Sequence, residues 1–183
     1  MKLFMKKLTI DNVLDALLEK RTYIEKELKN NINIWLNQEN TNFNGNEKLL
    51  SYDILIFSLW VISLAIPSKE YKDMLHQKFC NDSGLKGNEI DIFYEDVDKR
   101  YTNYYHGYNK WIVNPQTGYI LGRILTEIIV NQNADFSMQD ALPPTNNYSL
   151  MDMMIFGFFA ESFKQTLEFI GNIKKKYVIP DLR

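Results

Sequence analysis

Apolar residues recur along this chain at steps of three and four, a period that organises it into helices. Leu14, Leu17, Leu18, Ile24, Leu28, Ile32, Trp35 and Leu36 keep the rhythm over residues 10–38, with Arg21 as an interruption. The pattern predicts one long first helix, capped by Thr9 or Asp11. At ~1.5 Å per residue it would run about 40 Å. That is long for a small domain, so a bend, a break near 29–33 or packing against a second copy is expected.

A loop with the Asn44-Gly45 turn signal leads to a helix over 47–66 that stops before Pro67. Its stretch 54–66 is apolar nearly all round, as in a buried central helix. It falls short of the ~20 apolar residues that span a bilayer, and Asp53, Ser58 and Ser63 weaken that reading further. No membrane span is expected.

Ser68 opens a short helix to about Phe79 or Cys80, and two glycines turn the chain over 81–88. A helix over about 89–111 follows. Asn114 and Pro115 form the N-cap and first position of another, reaching about Asn131. Residues 132–149 read as irregular, with one turn at Ser137–Leu142 boxed by Ser137 and Asp140. Ser149 and Asp152 box the start of the last helix, 150 to about 177. Lys174, Lys175 and Lys176 suit the dipole at its end.

Residues 1–8 and 178–183 read as tails, and no strand pairing, repeat or linker is visible. The expectation is an all-α, single-domain bundle of about six or seven helices over 1–183. Its centre is 54–66 with 150–163, and 117–130 packs alongside.

Composition narrows the function classes. The 183 residues fit one domain and carry a formal net charge of −2. No basic excess exists to neutralise phosphates, which argues against nucleic acid. Cys80 is the only cysteine, so internal disulfides and Cys₄ or Cys₂His₂ zinc sites are excluded. The N-terminus lacks the apolar run of a signal peptide, so the cytoplasm is the expected compartment. Abundant Asn, Lys and Ile suggest an AT-rich coding sequence of bacterial or phage origin.

Catalytic motifs are not found. There is no Gly-x-Ser-x-Gly, no Walker loop and no Gly-x-Gly-x-x-Gly. His76 and Cys80 share a helix face, but two ligands are too few for a metal site. No cofactor, metal or catalytic residue is therefore assigned.

The chemistry that remains is aromatic. Ile90, Phe93, Val97, Tyr101, Tyr104, Tyr108 and Trp111 form one stripe that points inward. Arg100, Tyr105 and His106 are left as the residues facing out. Glu95–Lys99 and Asp96–Arg100 are spaced to pair along the flanks. A buried tyrosine hydroxyl needs a partner or costs roughly 1–3 kcal/mol, so this helix reads as core with satisfied hydroxyls or as a tyrosine-rich interface.

Gly118 and Gly122 permit a close helix approach. Arg123 and Glu127 read as a surface pair or as a partly buried anion-reading pair. Met151, Met153, Met154, Phe156, Phe158, Phe159 and Phe163 make the start of the last helix oily, and Glu161 lies a turn beyond. Burial would raise the Glu161 pKa.

Two functions follow as expectations. The first is a non-enzymatic interaction protein, adaptor- or immunity-like and self-associating, with binding residues among Arg100, Tyr101, Tyr104, Tyr105 and His106. The second is a binder of, or small enzyme on, an apolar small molecule in a Met/Phe-lined pocket near Arg123, Glu127 and Glu161.

Overall fold

The computed structural model describes residues 6–38, 43–136 and 148–178 of the chain. The expected turn at Ser137–Leu142 and the last residues of the tail lie outside them. Among the described residues six α-helices form an all-α bundle: α1 (Ile10–Gln38), α2 (Glu47–Ala65), α3 (Lys69–Asp82), α4 (Asn88–Val113), α5 (Gly118–Leu125) and α6 (Leu150–Lys176).

Local signals set most of the boundaries. The Thr9 hydroxyl accepts from the Asn12 amide and opens α1, which runs through 29–33 without the expected break. The Asn46 side chain accepts from the amides of Lys48 and Leu49 and opens α2. Ser68 precedes α3 but makes no capping bond with its side chain. Gly84 and Gly87, at φ +72° and +52°, carry the turn into α4.

Asn114 caps a 3₁₀ turn at Pro115–Thr117 that leads into α5. α5 then widens into a π-turn over Thr126–Val130. Ser149 and Asp152 form the expected box at α6, the amide of each donating to the side chain of the other at 2.9 and 3.1 Å. A two-residue parallel pairing of β1 (Lys6–Lys7) with β2 (Tyr177–Val178), absent from the helical reading, joins the two ends.

α2 is the central element. Ile54, Ile56, Phe57, Leu59, Trp60, Val61 and Ile62 are fully buried, and the helix packs on α1, α3, α4 and α6. By length and composition α2 could cross a membrane, but 67% of its apolar window is buried inside the bundle. It is a core helix.

α5 and α6 run antiparallel in close contact. A Cβ on Gly118 would lie 2.5 Å from the Phe156 ring, and one on Gly122 would lie 2.1 Å from the Asp152 carbonyl oxygen. Gly107 does the same between α4 and α5, where a Cβ would lie 2.9 Å from Leu121 Cα. Three glycines thus set the spacing of α4, α5 and α6.

Candidate functional site

The inner stripe of α4 meets α2 and α6 in one aromatic cluster. Trp60 stacks on Phe159 with ring centroids 5.1 Å apart and leans on Tyr104 at 5.0 Å. Tyr105 and Tyr108 approach Trp60 edge-on at 6.0 and 6.2 Å. Trp111 sits 5.5 Å from Phe156, and Tyr108 5.9 Å from Phe163. Of the phenylalanines expected to line an apolar pocket in α6, Phe156, Phe159 and Phe163 are therefore engaged by rings of α2 or α4. Such contacts add about 0.5–1.5 kcal/mol per pair beyond simple burial.

The tyrosine hydroxyls meet different fates. Tyr101 shares a hydrogen bond with His76 Nε2 at 3.0 Å, and the Ser63 hydroxyl is a further hydrogen-bonding neighbour of Tyr101 and Tyr105. Tyr104 is fully buried, and its hydroxyl has no hydrogen-bond partner among the described residues. Tyr105 and Tyr108 are half-buried. Tyr101 and Tyr104 are core residues, and Tyr108 packs at the edge of the core.

Arg100 overturns its expected exposure. It is 2% exposed, and it closes a buried ion pair with Asp53 of α2. Nη2 and Nε donate to Asp53 Oδ1 at 2.7 and 2.8 Å. Nη1 donates to Asp96 at 3.0 Å, and Tyr52 donates to the other Asp96 oxygen at 2.9 Å. The reason is tertiary: Asp53 lies on the buried face of α2, and only a guanidinium from the neighbouring helix can neutralise it there. Of the two expected pairs along α4, Asp96–Arg100 forms and Glu95–Lys99 does not, because Lys99 turns to Asp135.

Burial moves two groups of this core in opposite directions. His76 is pushed down from 6.5 to about 4, and Asp53 is pushed up from 3.8 to about 6 despite the Arg100 charge. Acidification from pH 6.5 protonates His76 in the unfolded chain first, so its contribution to stability falls as pH drops toward 4. Asp53 takes its proton more readily when folded, so its contribution rises over the same descent. Each linkage is worth roughly 3 kcal/mol.

The His76→Gln variant should therefore gain roughly 3 kcal/mol on the parent between about pH 6.5 and pH 4. Urea unfolding at both ends of that window measures the difference. A difference that stays constant with pH would contradict a buried neutral imidazole.

Arg123 bonds Glu127 at 2.7 Å and lies 3.8 Å from the Asp152 carboxylate. Two carboxylates for one guanidinium leave no spare positive charge for an anion. Glu161 is exposed on α6 and accepts from Gln165 at 3.0 Å. The structure therefore separates the predicted residues: Arg100, Tyr101 and Tyr104 are core, Arg123 and Glu127 flank the start of α6, and Glu161 faces solvent.

His106 is the exception. It is exposed, and with Asn109, Lys110, Val113, Asn114 and Thr117 it lines a cleft of about 640 Å³ at the end of α4. Beside it stand Val113, 87% exposed, and Ile112, 55% exposed. Val113 lies on the outer face of the helix, which continues back through Thr102 to Asp91, and Ile112 and Ile92, itself 50% exposed, flank that face on opposite sides. Asp91, Glu95, Asp98, Thr102, His106, Asn109 and Val113 are all exposed at steps of three or four, so they form one uncovered stripe. Sequence reading found the inner stripe by its rings and passed over the outer one, whose signal is charge order.

No protein-family model, no curated protein and no solved structure matches this chain.

Proposed function

We propose that this chain is a non-enzymatic interaction protein that associates with itself, in an adaptor- or immunity-like role in the cytoplasm of a bacterial or phage-infected cell. One observation carries the reading: the outer stripe of α4 is uncovered from Asp91 to Val113, with Val113 on it and Ile92 and Ile112 exposed at its flanks. Ile112 and Val113 are adjacent at the end of the helix, and a contiguous apolar spot on a polar surface marks a contact site. Apart from Tyr94, 39% exposed, the aromatic residues of the same helix pack on the core, so the contact chemistry belongs to the outer face.

Sedimentation equilibrium over a concentration series tests the reading. The expected species has twice the mass of the chain. A single species of monomer mass at every concentration up to about 1 mM, where even a weak pair would associate, rejects self-association.

A further inference from the structure

Self-association leaves open which surface pairs with which, and the charge order of α4 answers it. From Asn88 to Asp98 the helix holds Glu89, Asp91, Glu95, Asp96 and Asp98 and no base. From Lys99 to Val113 it holds Lys99, Arg100, His106 and Lys110 and no acid; the next acid in the chain is Glu127. The helix dipole favours acids early and bases late, but its effect fades within the first and last turn. Glu95 and Asp98 lie two turns or more from the start, so the dipole does not account for them.

The groups on this stripe are also uncommitted. Among the described residues, Asp91, Glu95, Asp98, His106 and Lys110 take part in no ion pair. Lys99 and Arg100, the two bases at the boundary, are held by Asp135 and by Asp53 with Asp96. What faces outward is therefore acidic on one half and basic on the other, with aliphatic side chains at both ends.

Resting on the self-association reading, we infer that two copies pack α4 against α4 antiparallel, about a two-fold axis at Thr102. The register follows from the spacing. Asp98 comes opposite His106 of the second copy, and Glu95 opposite its Asn109–Lys110 turn. Ile92 comes level with Val113 of the second copy. A two-fold contact is self-complementary, so each pairing occurs twice. Parallel packing would instead set acid against acid and base against base. Thr102 is small enough at the crossing to let the backbones approach. At ~1.5 Å per residue the stripe runs about 33 Å, the length of one seam of a small dimer.

Charge reversal tests the register. In Lys110→Glu, Glu95 of each copy faces a new acid; in Glu95→Lys, Lys110 of each copy faces a new base. Sedimentation velocity at low salt should show the dimer of each single variant weakened at least ~10-fold. Mixed one to one, the two variants restore both pairings and should associate as the parent does. Circular dichroism of each variant confirms the helices.

A parent that is monomeric removes the self-association reading and this inference with it. A dimeric parent whose single variants dimerise equally well, or whose variants fail to associate on mixing, keeps self-association and overturns the α4 seam.

Discussion

Arg100→Met is expected to lower the folding stability by about 3–5 kcal/mol, because it strands the Asp53 carboxylate in the core without its counter-charge. Asp53 is 1% exposed, and its other oxygen, Oδ2, already lacks a partner. Losing the guanidinium drives its pKa further upward. The loss should therefore shrink as pH falls and the carboxyl becomes neutral: a carboxyl with a raised folded pKa favours the folded state at low pH and disfavours it as pH rises.

A second variant isolates the cause. Asp53→Asn with Arg100→Met removes both charges and should recover much of the loss of the single change. Urea denaturation near neutral pH and again near about pH 5 reads both effects. A loss below about 1 kcal/mol, typical of an exposed pair, would show that the pair is solvated.

The next largest effect is expected at Gly122. Replacing it by Ala places a methyl 2.1 Å from the Asp152 carbonyl oxygen and 3.2 Å from Phe156 Cβ. The first contact is with backbone, so the methyl cannot be accommodated by a rotamer change, and α5 must move away from α6. Overpacking of this kind costs about 3 kcal/mol, well above the ~1 kcal/mol that Ala gains over Gly in a helix.

Gly157 and Gly171 of α6 have open space where a Cβ would stand. Gly157→Ala and Gly171→Ala should each stabilise by up to ~1 kcal/mol. Thermal unfolding of the three variants side by side separates helix propensity from helix contact. Equal shifts at all three positions would sink the close-approach account.

The short-range signals in this chain read correctly because their partners lie within a few residues. The Asn114 cap, the stop before Pro67 and the Ser149–Asp152 box each close within one turn of helix. Ser68 shows the limit: the residue type is right, and its side chain makes no cap. Periodicity turned Tyr101 and Tyr104 inward, and burial agrees. Gly118 and Gly122 read as a close approach, and the contacts with Phe156 and Asp152 agree.

The candidate site was less legible. Arg100 sits on the flank of the aromatic stripe, where periodicity allows either face. Its burial depends on Asp53, distant in sequence and carried by another helix. Glu161 fits the edge of an oily helix equally well inside or out, and packing left it outside.

The sequence by itself determined the helices, most of their ends and the inward stripes of α1 and α4, because hydrogen bonds and hydrophobic period act along a helix. It also carried the charge order of α4 in plain view. Only the tertiary structure decided that no neighbouring helix covers that order, since coverage depends on where α2, α5 and α6 stand. Their places follow from three glycines at the helix contacts, whose spacing is local but whose partners are not, and from one buried ion pair between helices.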